Sequence, residues 1–242
     1  MALVLHVHAG EPVNAALDSA RTVYAERGER TTIVIEPGTY QEQLTIDIPG
    51  LALKSASKKE PVKITWYYGH GYQYKSMGGT INYGGSRTRK WNASVLVTAP
   101  DFYAENIIFE NSFNLYVSEK EAADSLYIVP EFTAREMPAR PKEAGSKEVQ
   151  KKLYRERAAA ISFTETAKNA HLKNCTAVGR QDVLYGDQGA SIYWEGGVLQ
   201  GGVDFIFGAM TFVADRATIV ANINDEPGDK CYISAGRSGS DG

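Results

Sequence analysis

Short apolar segments that return about every twenty residues predict an all-β fold, a right-handed parallel β-helix. Asn174, Gly196 and Arg216 each open a similar apolar run, at separations of 22 and 20 residues. A period of this length with one or more strands in each unit is typical of a β-solenoid. An antiparallel sandwich would also have short strands, but the Asn-Gly and Asp-Gly turns that join hairpins are missing between the strand-like segments. We therefore expect a parallel solenoid.

One amphipathic helix is expected before the strands. Val13, Leu17 and Tyr24 recur at helical spacing, Pro12 lies near the start, and Gly28 suits the C-terminal cap. After this helix the pattern changes to short runs rich in Val, Ile and Thr, bounded by Gly, Pro or Asn. The runs that predict strands are TTIVIEPG, LTIDIPGLALKS, VKITW, ASVLVTA and NIIFEN.

A charged segment interrupts the strands at residues 118–157. It contains SEKEAAD, three prolines and SKEVQKKLYRER, which predict a long surface excursion between coils that ends in a short helix. One interpretation is that its charges simply form a solvated face. The alternative is that the segment forms a wall of a binding cleft, since long insertions often carry function. With this insertion, residues 1–242 are expected to form one β-helix domain.

Composition limits the classes of function that this chain can have. With 43% hydrophobic and 23% charged residues, the chain suits a folded globular domain. A net charge of −3 gives no support to nucleic-acid binding, and no apolar run is long enough to cross a membrane. The opening MALVLHVHAGEP lacks the basic start of a signal peptide, so we expect either a cytosolic protein or one whose leader has been removed.

Two aspartates stand out among apolar residues, Asp182 in GRQDVLYG and Asp204 in GGVDFIFG. They are 22 residues apart, which matches the coil period, so a β-helix would place them on neighbouring coils about 4.8 Å apart. Two carboxylates at that distance repel, and one tends to hold a proton while the other stays ionised. This division suits a nucleophile or base beside an acid. The alternative is that both are ordinary turn residues beside glycine.

Neighbouring residues strengthen the catalytic interpretation. Gln181 offers an amide donor for a developing oxyanion. Phe205 would lower the local dielectric and is also a candidate substrate contact. Tyr185 and Trp194 lie near the pair in sequence and are candidate platforms for a sugar ring. The aromatic run WYYGHGYQY could also stack on sugars or could equally be a packed loop.

Three motifs resemble the pectin methylesterases (carbohydrate esterase family 8). QDVLYG and GGVDFIFG resemble the two central motifs of that family, Gln-Asp-Thr-Leu-Tyr and Gly-x-x-Asp-Phe-Ile-Phe-Gly. EPGTYQEQLTI, residues 36–46, resembles the early Gly-x-Tyr-x-Glu motif. The resemblance runs from about Val13 to the last residue.

This resemblance implies a right-handed parallel β-helix that hydrolyses methyl esters of polygalacturonate (pectin) without a metal or cofactor. Asp204 matches the nucleophile, Asp182 the general acid that then serves as base, and Gln181 an oxyanion donor. It also implies a secreted or periplasmic protein, and we expect a monomer that binds neither nucleic acid nor membrane.

Two departures from the family pattern stand out. Arg157, in RAAAI, replaces the glutamine of Gln-Ala-Val-Ala-Leu, and could bind an oxyanion or a galacturonate carboxylate or simply end the charged segment. The family's downstream Leu-Gly-Arg-Pro-Trp is missing, and Arg237 lies in a context that matches an earlier loop, so the arginine role is not transferred to it. We therefore expect a sequence cut short at its C-terminus, with poor or no activity on its own.

Two other functions remain open from the sequence. A polysaccharide lyase on the same fold would need a calcium-binding cluster of acidic groups and a basic residue. A non-catalytic β-helix that binds polysaccharide would not need to keep Asp182 and Asp204 close together.

Overall fold

The structure is a computed structural model that describes residues 3–77, 92–128, 138–222, 228 and 230–237. It is a right-handed parallel β-helix, as predicted. The strands are β1 Leu3–Val7, β2 Thr31–Ile35, β3 Gly38–Gln41, β4 Leu44–Ile46, β5 Ala52–Ser55, β6 Val62–Trp66, β7 Tyr72–Tyr74, β8 Val95–Val97, β9 Tyr103–Glu105, β10 Ile107–Asn111, β11 Leu126–Ile128, β12 Ile161–Phe163, β13 Ala170–Lys173, β14 Thr176–Val178, β15 Leu184–Gly186, β16 Ser191–Glu195, β17 Val198–Gly201, β18 Ile206–Gly208, β19 Thr211–Asp215, β20 Thr218–Ala221 and β21 Ser234–Gly236. The α-helices are α1 Val13–Arg27 and α2 Glu119–Ala123.

Three parallel sheets form the walls of the solenoid. Sheet A has the order β1-β2-β5-β9-β13-β16-β19, sheet B the order β3-β6-β10-β14-β17-β20, and sheet C the order β4-β8-β12-β15-β18-β21. Each coil contributes one strand to each sheet, in the sequence A, B, C. A separate antiparallel pair, β7 with β11, lies outside these walls.

The predicted repeat is confirmed at the corner between sheets A and B. Asn174, Gly196 and Arg216 lie one coil apart there, with φ values of 50°, 67° and 55°. A single residue in this left-handed conformation turns the chain sharply, which Asn and Gly tolerate best. The corner residue therefore recurs once in each coil and sets the period that the sequence shows.

The core fills the space between the three sheets. Because side chains alternate along a strand, every second residue points inward and meets its equivalents from the neighbouring coils. In sheet A these stacked inward residues include Ile33, Leu53, Ala104, Leu172 and Trp194, all fully buried.

The predicted helix is confirmed as α1, which packs on the first coils. Its extended N-cap residue is Pro12, and Gly28 ends it at φ 63° with its N–H donating to the Tyr24 carbonyl. Leu17 and Ala20 are buried against the core. Glu42, from the first coil, accepts hydrogen bonds from the first free N–H groups of α1.

The turns between sheets B and C differ from coil to coil. In the coil of β13–β15 this turn is residues 179–183, and in the next coil it is residues 202–205. In the two preceding coils it is expanded to residues 67–94 and 112–160. The charged segment of the sequence lies in the second expansion, of which residues 129–137 are outside the described residues.

The predicted helix at the end of the charged segment is wrong. Two single 3-10 turns, Glu148–Gln150 and Lys152–Tyr154, occupy that region, and the short helix α2 lies near the start instead. Ser118 caps α2 by accepting from the Glu121 N–H, a strong local signal for a helix start. Among the described residues, no helix is long and apolar enough to cross a membrane.

The aromatic run, in residues 67–77 of the first expansion, is packed. Tyr67, Tyr68, Tyr72 and Tyr74 are all buried, and they cluster with Phe113 from the second expansion. The two expansions therefore pack on each other beside sheet C.

Candidate active site

The fold places Asp182 and Asp204 at equivalent positions of neighbouring coils. Leu184 pairs with Ile206, and Gln181 forms a parallel bridge with Val203, so the coils are in register on both sides of the aspartates. The Asp182 N–H donates to the Val203 carbonyl at 3.1 Å. The predicted spacing of one coil is thus present in the structure.

Both aspartates have a left-handed backbone, with φ of 54° at Asp182 and 47° at Asp204. Aspartate is one of the few residues other than glycine that adopt this conformation readily. Backbone of this kind concentrates at functional sites, but it also suits a sharp turn. Each aspartate therefore lies in a sharp turn, as the alternative interpretation predicted. A turn position does not prevent its carboxyl group from taking part in catalysis.

The environments of the two carboxyl groups are unequal. Asp182 is only 2% exposed, whereas Asp204 is half-buried. Burial raises the pKa of Asp182 to about 7; Arg157 opposes this rise, and the charges of Asp204 and Glu156 add to it. Asp182 can therefore hold a proton close to neutral pH beside a second, more accessible carboxyl group.

Arg157 is the cation of this site. Its Nε lies 3.9 Å from Asp182 Oδ2, a distance that allows charge attraction but is too long for a hydrogen bond. The guanidinium is 44% exposed, so it faces both the buried carboxyl group and the solvent. The structure thus brings together Arg157, which the sequence singled out, and the aspartate pair.

Gln181 lies half-buried at the same turn. Its carbonyl accepts from the Ala158 N–H at 3.2 Å, which ties it to the coil that carries Arg157. The amide side chain is an oxyanion donor by its chemistry.

Tyr185 and Phe207 form an aromatic pair on the outer face of sheet C. They pair in register, their ring centroids are 5.3 Å apart, and the rings are tilted by 33°. The Tyr185 hydroxyl donates to Asp187 Oδ1 at 2.7 Å, and burial first, then this bond, raises the pKa of Tyr185 well above its usual range. Each ring lies three residues after one of the aspartates.

Comparison with known proteins finds similarity to pectinesterases. The pectinesterase family model matches residues 142–241, a stretch that contains both aspartates. Pectinesterase A of Dickeya chrysanthemi is 27% identical over 194 residues, which are 78% of this chain and 43% of that protein. The chain is similar to pectinesterases. It spans less than half the length of the curated relatives that it matches.

Solved pectin methylesterases share the fold. The enzyme of Yersinia enterocolitica superposes with a TM-score of 0.66 at 27% identity, covering 94% of this chain and 60% of that one. A pectin methylesterase in complex with a hexasaccharide superposes with a TM-score of 0.64 at 22% identity, covering 94% and 59% of the two chains.

Two residues that were predicted to contact substrate lie in the core. Trp194 is on an inward position of sheet A and is 0% exposed, and Phe205 is buried beneath the turn that carries Asp204. Neither ring presents a face on which a sugar could stack, so both predictions are wrong. Phe207 was missed, although its position three residues after Asp204 repeats that of Tyr185 after Asp182.

The part of the chain that the structure describes contains no group of three or more His, Cys, Asp and Glu side chains placed to hold a metal ion. The candidate site therefore consists of Asp182, Asp204, Gln181 and Arg157, with Tyr185 and Phe207 at its side.

Proposed function

We propose that the natural protein containing these residues hydrolyses the methyl esters of polygalacturonate and releases methanol. The observation that carries this proposal is the pair Asp182 and Asp204, one carboxyl group buried and the other more accessible, on neighbouring coils. Similarity to the pectinesterase family model and to curated pectinesterases, and a solved pectin methylesterase of the same fold in complex with a hexasaccharide, support a pectin substrate.

The first half of the reaction uses both aspartates. The Asp204 carboxylate oxygen attacks the ester carbonyl carbon, and the carbonyl electron pair moves onto oxygen to form a tetrahedral oxyanion. When that oxyanion collapses, the bond from carbon to the methoxy oxygen breaks, and Asp182 gives its proton to the departing oxygen, so that methanol leaves. The product is an anhydride between Asp204 and the galacturonate.

The second half returns the enzyme to its starting state. Asp182, now ionised, accepts a proton from water, and the water oxygen attacks the carbonyl carbon of the anhydride. The bond to Asp204 breaks, which leaves the free galacturonate, an ionised Asp204 and a protonated Asp182. A pKa near 7 suits a group that must release and regain a proton in each turnover.

Gln181 and Arg157 are proposed to stabilise the oxyanion. The amide of Gln181 is a neutral donor, and the Arg157 guanidinium adds positive charge at the place where the family has a second glutamine. The exposed side of Arg157 could instead bind the carboxylate of a neighbouring, already de-esterified galacturonate. Phe207, which is half-buried and packs against the buried ring of Tyr185, supplies apolar surface for the sugar or its methyl group.

Methanol release from highly methyl-esterified pectin tests this proposal. We expect methanol release that resists a chelator. Asp204→Asn and Asp182→Asn should each abolish this release. The control Asp18→Asn should leave it unchanged, because Asp18 lies on α1 with a 74% exposed side chain. If the folded natural protein releases no methanol, the proposal is refuted and a polysaccharide binder remains. Release that the chelator abolishes would refute the metal-free mechanism.

We also propose that the protein meets this polymer outside the cytoplasm, as a monomer, since a polymer of this size does not enter cells. Fractionation of the source cells and light scattering of the purified protein test the two statements. Recovery in the cytoplasm, or a stable dimer, would contradict them.

A further inference from the structure

One buried side chain joins the two ends of the expanded turn 112–160. Asn114 lies at its start and Glu156 near its end. Asn114 Nδ2 donates to the Glu156 carbonyl at 2.5 Å, and Asn114 Oδ1 accepts from the Glu156 N–H at 3.1 Å. Asn114 is only 1% exposed, so both bonds are sheltered from water. The amide of Asn114 thus pairs with the Glu156 backbone as a neighbouring strand would.

Arg157 follows directly after this pairing. Its carbonyl accepts from the His70 N–H at 2.8 Å, and the next residue, Ala158, donates to the Gln181 carbonyl at 3.2 Å. The backbone is therefore fixed on both sides of Arg157, by the first expanded turn, by Asn114 and by the following coil. A guanidinium on a flexible side chain stays near a chosen partner only if its own backbone is held in this way.

We propose that Asn114 is a positioning residue that, by fixing the backbone of Glu156, holds the Arg157 guanidinium beside the Asp182 carboxyl group. Its consequence for catalysis rests on the proposed function, in which Asp182 releases and regains a proton. The alternative is that Asn114 only closes the base of the expanded turn and stabilises the fold.

The charges that face Asp182 allow the two roles to be separated. They belong to Arg157, Asp204 and Glu156, and Tyr185 also lies close by. If the guanidinium moves away, Asp182 loses its favourable charge and its pKa should rise by about one unit. If the site merely loosens and admits water, the pKa of Asp182 should fall, because burial is the main cause of its raised value. The direction of the change therefore distinguishes positioning from a loss of packing.

The experiment measures the pKa of Asp182 from the carboxyl-carbon NMR shift of the labelled natural protein. We expect a higher pKa in Asn114→Ala and in the milder Asn114→Ser. The matched control is Asn106→Gly: the amide of Asn106 also donates to two backbone carbonyls, but at the corner between sheets A and B, and its φ of 56° suits glycine. The control should leave the pKa of Asp182 unchanged.

A double-mutant cycle tests whether Asn114 acts through Arg157. Arg157→Ala alone should raise the pKa of Asp182, and Asn114→Ala should then cause no further rise. An unchanged or lower pKa in either single variant, or an equal rise in both backgrounds, would overturn the inference. Because Arg157→Ala does not touch the buried pairing, it provides a test even if the Asn114 variants fold poorly.

The NMR measurement needs no activity, so this inference and the proposed function can fail separately. If methanol is released, the loss of activity at high pH should move upward together with the pKa of Asp182 in Asn114→Ser. If no methanol is released but the pKa rises as expected, the positioning role stands and the proposed function fails.

Discussion

Replacement of Asp182 by asparagine should stabilise the protein at alkaline pH but not at acid pH. The pKa of Asp182 is raised from an ordinary 3.8 to about 7, mainly by burial. Below pH 3.8 the carboxyl group is mostly protonated in both the folded and the unfolded chain. As pH rises from there to about 7, the unfolded chain releases this proton while the folded protein keeps it, so stability is lost. At about 1.4 kcal/mol for each pH unit, the ionised group costs the folded state roughly 4 kcal/mol above pH 7.

Urea unfolding of the parent and of Asp182→Asn at pH 4 and pH 8 measures this cost. Asparagine does not titrate, so the difference in free energy of unfolding between the two proteins should grow by roughly 4 kcal/mol from the lower to the higher pH. Asp18→Asn serves as the control for removal of an exposed carboxylate. An equal difference at both pH values would show that Asp182 is not held protonated by burial, and would remove the physical basis for its role as the acid.

Three further substitutions test the fold around the site. Trp194→Ala should destabilise the protein by about 3–5 kcal/mol, measured by urea unfolding, because the ring is fully buried in the core. Gly208→Ala should lower the melting temperature sharply, because its φ is +123° and a Cβ atom would lie 2.0 Å from the Gly186 carbonyl oxygen. Arg140→Ala should cost about 3–5 kcal/mol in urea unfolding, because it leaves Glu121 buried without the guanidinium that lies 3.0 Å away. A loss below 1 kcal/mol in either unfolding experiment, or an unchanged melting temperature in Gly208→Ala, would contradict the packing described.

The repeat and the aspartate pair were predictable because both depend on sequence spacing. A left-handed corner residue recurs in each coil at Asn174, Gly196 and Arg216, and it leaves a visible period. Once that period is known, two aspartates 22 residues apart must lie on neighbouring coils. Helix α1 was predictable for a similar reason, since its apolar spacing and its terminal Pro and Gly are local signals.

The orientation of single aromatic side chains was not predictable in the same way. Trp194 and Phe205 were expected near substrate because they are close to the aspartates in sequence, but each occupies an inward position. A shift of one residue exchanges the inner and outer faces of a strand, so proximity in sequence does not decide exposure. Phe205 lies in the turn before β18, where strand alternation does not apply, whereas Phe207 within β18 pairs with Tyr185 on the outer face.

The contacts of the expanded turns could not be predicted from the sequence either. Asn114 and Glu156 are 42 residues apart, and nothing in the intervening charged segment indicates that they pair. Such contacts depend on where a long loop returns to the solenoid, which local patterns do not encode. For this reason the sequence could identify Arg157 as unusual but could not explain what holds it near Asp182.

The unequal environments of the two aspartates follow from their positions along the solenoid axis. At the turn position of the aspartates, successive coils place Ala93, Ala159, Asp182, Asp204 and Tyr232 in one column. The two alanines are fully buried beside the expanded turns, Asp182 is nearly so, Asp204 is half-buried, and Tyr232 is exposed. Arg157 and Glu156, from the second expanded turn, lie beside Asp182, which is one coil closer to that turn than Asp204. The same residue type at two adjacent positions is therefore desolvated to different degrees, which favours the proton on Asp182 and leaves Asp204 accessible to substrate.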